Sequence, residues 1–180
     1  MVSNKLELYS LYQLHNNKIL RKDDNAEVKV KYYIDSYQRG YRWDKKQIDL
    51  LLDDLWEFHQ KYKDKALNPN EYYCLQPIVV KPKILENSTF CWEVLDGQQR
   101  LTSLKILQSY LLHETSQDLE DEYAIPNFDI TYKTRDLSQD YLAQISDKYN
   151  TAKKNDNIDF YYMSNAYQSI MEWFDEKKIV

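Results

Sequence analysis

The segment Asp96–Thr102 joins a predicted strand to a predicted helix and carries the residue types of an anion-binding corner. Gly97 permits a sharp turn and a close approach of a phosphate, and the start of a helix favours negative charge. Arg100 can add a bidentate contact, whereas Asp96 could hold a metal ion or orient a water molecule. The spacing from Asp96 to Gln99 also matches a capping box, so the corner could serve only to start the helix.

A second candidate segment, Ser36–Trp43, surrounds Gly40 with aromatic residues and arginines. Aromatic rings offer flat faces to a base, and arginine binds phosphates or stacks on rings. The alternative is an aromatic-rich loop packed on the core, with Arg39 or Arg42 paired with a carboxylate. Because both glycines follow a strand and precede a helix, we expect both corners to open at one edge of the sheet.

Hydrophobic periodicity predicts the elements that position these corners. A capping-box pattern from Asp44 to Gln47 starts one helix, which continues to about Tyr62. The predicted helices cover residues 6–15, 44–62, 101–113, 138–149 and 157–177, and the predicted strands cover residues 28–34, 72–80, 90–95 and 128–132. This order indicates an α+β fold with a small mixed sheet flanked by several helices.

Length and composition exclude several classes of protein. The 180 residues suit a single domain. Only 2 glycines are present, where average usage would give about a dozen, and no P-loop or Rossmann glycine pattern occurs. The net charge of −5 argues against a generic polyanion binder.

Cysteine and histidine usage argues against a disulfide framework or a zinc site. Cys74 and Cys91 are isolated, and the three histidines share no ligand spacing. No signal peptide or membrane-spanning stretch is visible. We therefore expect a reduced, cytoplasmic protein with two buried thiols.

Three motifs together resemble one family. In chain order they are Tyr37-Gln38-Arg39 with Tyr41 and Trp43, then Tyr73–Val80, then Val94–Thr102. This pattern is similar to the N-terminal domain of GmrSD-type (type IV) restriction endonucleases, a family with a ParB/sulfiredoxin-like fold and an Asp-Gly-Gln-Gln-Arg signature. The resemblance covers roughly Leu6 to Phe174, and it departs at Gln76, where many members carry glycine.

The resemblance implies a domain that binds and hydrolyses a nucleoside triphosphate with Mg²⁺. The catalytic residues that it implies are Asp96, Gln99 and Arg100, with Asp96 also as the Mg²⁺ ligand. The nucleotide-binding residues that it implies are Tyr37, Gln38, Arg39, Tyr41, Trp43, Gly97, Gln98 and Thr102. Residues 1–180 would form one domain, with a core over about 26–135 and a helical extension over about 136–178.

In that family, DNA cleavage belongs to a separate C-terminal His-Me-finger nuclease domain. No nuclease motif surrounds the three histidines of this chain, so we expect an N-terminal fragment of a longer protein that acts in phage defence and contacts DNA through the full-length protein. A homo-oligomer is left open. The alternative function is a non-catalytic sensor of modified DNA or of a partner protein, with a degenerate nucleotide pocket.

Overall fold

The computed structural model describes residues 18–20, 27–29, 31–65, 68, 70–86, 90–115, 128–151 and 157–178. Two short strands, β1 (Lys18–Leu20) and β2 (Glu27–Lys29), form an antiparallel pair. The helix predicted over residues 6–15 lies outside the described residues.

A mixed four-stranded sheet lies at the centre of the fold. Its strands are β3 (Lys31–Ile34), β4 (Val79–Ile84), β5 (Phe90–Asp96) and β6 (Ile130–Tyr132), in the spatial order β4-β5-β3-β6. Strand β3 is parallel to both β5 and β6, whereas β4 is antiparallel to β5. This sheet and its helices confirm the α+β class predicted from the sequence.

The described helices follow the predicted order, except that one predicted helix is divided into two. They are α1 (Lys45–Lys63), α2 (Gln98–Thr115), α3 (Asp136–Ala143), α4 (Ile145–Lys148) and α5 (Ile158–Lys177), with a 3₁₀ turn at Tyr149–Thr151. The capping box at the start of α1 is confirmed: Asp44 accepts from Lys46 N at 2.9 Å, and Gln47 Oε1 accepts from Asp44 N at 2.9 Å. The helix predicted over 138–149 divides at Gln144, whose φ of −120° and ψ of 24° are not helical. None of the described helices combines the length and the apolar composition that crossing a membrane requires.

The hydrophobic core lies on one face of the sheet. Tyr32, Ile34 and Val94 belong to it, together with apolar residues of the helices. Because side chains alternate along a strand, Asp35 and Glu93 lie on the opposite face, where Lys83 Nζ contacts the Asp35 carboxylate at 2.6 Å and the Glu93 carboxylate at 3.0 Å. The sheet therefore presents one apolar face to the helices and one charged face away from them.

Several details differ from the prediction. The single strand predicted over 28–34 corresponds to β2 in the two-stranded sheet and β3 in the central sheet, and β1 was not predicted. The strand predicted over 72–80 is wrong for its first part, because residues 71–78 are irregular and β4 runs from Val79 through Pro82 to Ile84. Proline is tolerated there because β4 is an edge strand of this sheet. Cys91 is buried as predicted, but Cys74 is exposed because it lies in the irregular segment.

Candidate functional site

The two glycine corners lie side by side because their strands are parallel neighbours. Tyr33 of β3 is in register with Glu93 of β5, so the segments that follow these two strands leave the sheet at the same edge. Gln38 lies in Ser36–Trp43, which comes first along the chain and which we call the first corner. It donates from Nε2 to the carbonyl oxygen of Val94 in β5. The expectation that both corners open at one edge is confirmed.

Two glutamines of the second corner, Asp96–Thr102, bind the main chain of the first corner, and we call these two residues the amide clamp. Gln98 Nε2 donates to Arg39 O at 2.8 Å. Gln99 Nε2 donates to Gly40 O at 3.0 Å, while its Oε1 accepts from Arg42 N at 2.8 Å. The clamp fixes the Ser36–Trp43 loop against the start of α2.

The start of α2 is not the capping box that the Asp96–Gln99 spacing suggested. The helix begins at Gln98, and Gly97 O accepts from Leu101 N at 2.9 Å, so Gly97 is the N-cap residue. Gly97 has a φ of +88°, a region that favours glycine. A Cβ there would lie 3.1 Å from Ile78 Cγ1 and 3.2 Å from Pro77 O, so protein atoms occupy the space beside this glycine.

Arg100 holds the irregular segment that precedes β4. Its NH1 donates to Gln76 Oε1 and its NH2 to Pro77 O, the latter at 3.2 Å. Gln76 has a φ of +68°, which non-glycine residues rarely adopt. At the position where the chain departs from the resemblance, Gln76 thus has a glycine-like backbone, and its side chain is held by Arg100.

Two charged side chains of the motifs point into solvent. Arg39 and Asp96 are both exposed. Neither side chain has a hydrogen bond or an ion pair with any residue that the structure describes. A guanidinium and a carboxylate are therefore available for a ligand, one in each of the two corners that the amide clamp joins.

Tyr37 lies on the charged face of the sheet. Its side chain is 65% exposed, and its hydroxyl donates to Glu93 Oε1 at 3.1 Å. Burial acts to raise the pKa of Glu93, but hydrogen bonds from Lys83 and Tyr37 outweigh it and hold this pKa below its usual value. Tyr37 is thereby directed away from the helices that pack on the other face.

Two other predicted site residues support the corners from inside the core. Tyr41 is 2% exposed, and its hydroxyl lies 2.7 Å from Ser103 Oγ. Burial raises the pKa of Tyr41 well above that of free tyrosine, so this hydroxyl stays protonated. Thr102 is also buried, with its Oγ1 3.3 Å from the hydroxyl of Tyr132.

A buried carboxylate that sequence reasoning missed anchors the first corner. Asp159, 3% exposed near the start of α5, accepts from Arg42 NH1 at 2.5 Å and from Ser138 Oγ at 3.1 Å, and it pairs with Arg135 Nε at 3.2 Å. The alternative interpretation that Arg42 pairs with a carboxylate is therefore confirmed. No sequence signal pointed to Asp159; the structure shows that Gly40 makes room for it, since a Cβ at Gly40 would lie 2.0 Å from Asp159 Oδ1.

An open cleft of about 290 Å³ runs beside α1, and we call it the α1 cleft. Trp43 and Arg100, from the two predicted motifs, both line it. The other lining residues are Gln47, Leu50, Leu51, Asp54, Tyr73, Leu75 and Gln76. Tyr73 donates from its hydroxyl to Asp54 Oδ2 at 2.8 Å, and burial together with this carboxylate raises the pKa of Tyr73 to about 12. A second cavity, of about 430 Å³, lies next to Arg42, Arg135 and Asp159.

The single exposed carboxylate at the corners, that of Asp96, suits one mode of magnesium binding. Within the part of the chain that the structure describes, no three His, Cys, Asp or Glu residues cluster as a metal site. Mg²⁺ bound with nucleotides takes most of its ligands from phosphates and water and needs only one or two carboxylates. The exposed Asp96 fits that mode and does not fit an all-protein metal cage.

Comparison with known proteins gives one match. The family model described as GmrSD restriction endonuclease, N-terminal domain, matches residues 14–179. Neither a curated protein nor a solved structure matches the chain. The family match spans almost the whole chain and supports a role in phage defence. The chain belongs to the family of GmrSD restriction endonuclease N-terminal domains.

Proposed function

We propose that this domain binds a nucleoside triphosphate with Mg²⁺ at the two joined corners and hydrolyses it. The observation that carries the proposal is the amide clamp, which brings the corners together and leaves Arg39 and Asp96 exposed beside it. A cation and a carboxylate on either side of a helix start are complementary to a triphosphate and its metal ion.

Each group of the corner would have a separate task. Arg39 would contact the phosphate oxygens, and the first N–H groups of α2, which lack partners within the helix, would add hydrogen bonds. Asp96 would hold the metal ion or align the attacking water. Bound Mg²⁺ would neutralise charge on the phosphates. Gln98 and Gln99 would keep the two corners in register while the ligand is bound.

The proposal is tested by calorimetry with Mg²⁺ and each of ATP, GTP, CTP and UTP. We expect Arg39→Ala to weaken nucleotide binding by at least about tenfold, because a charge-assisted phosphate contact is lost. Asp96→Asn should lower the hydrolysis rate and the dependence of binding on Mg²⁺. Lys63→Ala and Asp140→Asn change exposed residues of the same charge elsewhere and serve as matched controls.

The outcome of this experiment is decisive in both directions. If the wild-type domain binds none of the four nucleotides, the proposal is wrong. If Arg39→Ala and Lys63→Ala have equal effects, the corner is not the phosphate site. In the first case the domain would be better described as a sensor, and in the second the nucleotide would bind elsewhere on the domain.

A sensor of modified DNA is the second candidate function, and the charged face of the sheet favours it. Lys31, Lys81 and Lys133 are exposed there, within a chain that is acidic as a whole. Such a sensor would bind DNA without nucleotide, and its affinity would fall steeply as salt is raised. Under either function, cleavage of DNA would belong to a separate nuclease domain or subunit.

A further inference from the structure

The α1 cleft differs from the charged corner in the chemistry of its walls. Trp43, Leu50, Leu51, Tyr73 and Leu75 provide apolar and aromatic surface. Ligand pockets of this kind are mostly apolar, with a few polar groups that fix the orientation of the ligand. The walls of the α1 cleft therefore suit a flat ring and not a phosphate.

The three aromatic residues of the first motif are not equivalent with respect to this cleft. Tyr41 is buried in the core, and Tyr37 bonds to Glu93 on the charged face. Trp43 alone among them lines the α1 cleft. Tryptophan offers the largest flat surface for stacking on a nucleic-acid base.

Asp54 supplies the polar recognition group of the cleft. One oxygen, Oδ2, accepts from the Tyr73 hydroxyl, which fixes the orientation of the carboxylate. The other oxygen has no partner among the described residues. An ionised carboxylate accepts hydrogen bonds and cannot donate them, so the matching ligand must present N–H groups at its edge.

Residues of the cleft wall are direct sequence neighbours of residues that form the proposed phosphate corner. Arg100 follows the amide clamp directly in sequence, and its guanidinium binds Gln76 in the cleft wall. Trp43 follows Arg42, whose backbone N–H the clamp holds. Trp43 and Arg100 therefore link the cleft to the two corners through adjacent residues.

We propose that the α1 cleft binds the base of the nucleotide, with the ring against Trp43 and an N–H edge of the base on Asp54. This inference rests on the proposed function, because it assigns a second part of the same ligand. Guanine satisfies Asp54 best, since its ring N–H and its amino group offer two adjacent donors to one carboxylate.

The test compares Mg²⁺-nucleotides with inorganic triphosphate, which has no base. We expect wild type to bind GTP at least tenfold more tightly than inorganic triphosphate. Trp43→Ala should reduce this ratio to within about threefold and leave triphosphate binding unchanged, because a base–aromatic stack contributes about 1–3 kcal/mol. Tyr62→Ala removes an exposed ring near the end of α1, outside the cleft, and should leave both affinities unchanged.

Two further pairs of variants protect the test from a folding defect at Trp43. Leu50 is 55% exposed in the cleft wall, so Leu50→Glu should block the base without disturbing the core, whereas Leu137→Glu, at another exposed leucine, should have no effect. Asp54→Asn should weaken the binding of GTP about tenfold. Asp49→Asn, on the same helix outside the cleft, should not.

The results separate this inference from the proposed function. Equal binding of GTP and triphosphate by wild type, or an equal loss of both in Trp43→Ala and in Leu50→Glu, would overturn the base site. The phosphate site would still stand if Arg39→Ala weakened both ligands. Failure of wild type to bind either ligand would overturn both proposals together.

Discussion

The Gly40 and Gly97 corners are alike in sequence but require glycine for different reasons. Gly97 has a φ of +88°, so its backbone conformation excludes most other residues. Gly40 is not among the residues with a positive φ, but Asp159 fills the position that its Cβ would take. One corner is restricted by its backbone, and the other by a buried carboxylate from a distant helix.

The comparison shows where a ligand can and cannot be accommodated. At both corners, protein atoms occupy the space next to the glycine. The exposed charges instead belong to the residue directly before each glycine, Arg39 and Asp96. The glycines therefore fix the shape of the corners, while their neighbours Arg39 and Asp96 are the exposed charged groups that would face a ligand under the proposed function.

Gly40→Ala is the change with the largest expected effect. The added methyl would overlap the Asp159 carboxylate and displace it from Arg42 and Arg135. We expect the free energy of unfolding to fall by about 3 kcal/mol, because overpacking and loss of a buried ion pair combine. Urea denaturation of wild type and variant measures this difference.

A double-mutant cycle identifies the cause of that loss. Asp159→Ala removes the clashing group but leaves two arginines without their partner, so it is itself destabilising. Adding Gly40→Ala to Asp159→Ala should then cost less than about 1 kcal/mol, since no clash remains. Strictly additive effects would show that the carboxylate is not the reason for glycine at this position.

Gly97→Ala tests the backbone-restricted corner and should have a smaller effect. A left-handed backbone costs an alanine roughly 1–2 kcal/mol, and the contacts at 3.1–3.2 Å require only small shifts of Pro77 and Ile78. Gly97→Asn should be better tolerated than alanine, because asparagine adopts positive φ more readily. An alanine variant as unstable as Gly40→Ala would mean that space, and not φ, dominates at both corners.

Local patterns sufficed to predict most of the elements and the adjacency of the corners. The capping box at Asp44 and the apolar spacing that follows it predict α1 because these signals act within a few residues. The adjacency of the corners follows from their shared strand-to-helix connection, once β3 and β5 pair in parallel. The charge of Asp96 and its position at the end of β5 are likewise local properties.

The contacts that hold the corners depend on distant parts of the chain, and the sequence does not reveal them. Asp159 and Arg42 lie 117 positions apart, so no spacing rule connects them. Gln76 has a positive φ and its side chain is held by the distant Arg100, and β4 continues through Pro82 only because it is an edge strand. In each case a tertiary contact overrides the local preference.

Tyr41→Phe has the smallest expected effect and tests how the two corners are connected. The Tyr41 hydroxyl, next to Gly40, meets Ser103 Oγ of the helix that starts at Gly97. Losing this buried hydrogen bond should lower the free energy of unfolding by about 1 kcal/mol. Nucleotide affinity should stay unchanged, because Tyr41 is buried and cannot touch a ligand.

Ser103→Ala is the matched variant for this bond, because it removes the other hydroxyl of the same pair. The two changes together should cost less than the sum of the single effects, since either one already breaks the bond. Denaturation and calorimetry on all three variants measure stability and binding separately. If the Tyr41→Phe domain kept its stability but no longer bound nucleotide, this hydroxyl would contact the ligand. That result would contradict the conclusion that the glycines shape the corners and that only their exposed neighbours would face a ligand.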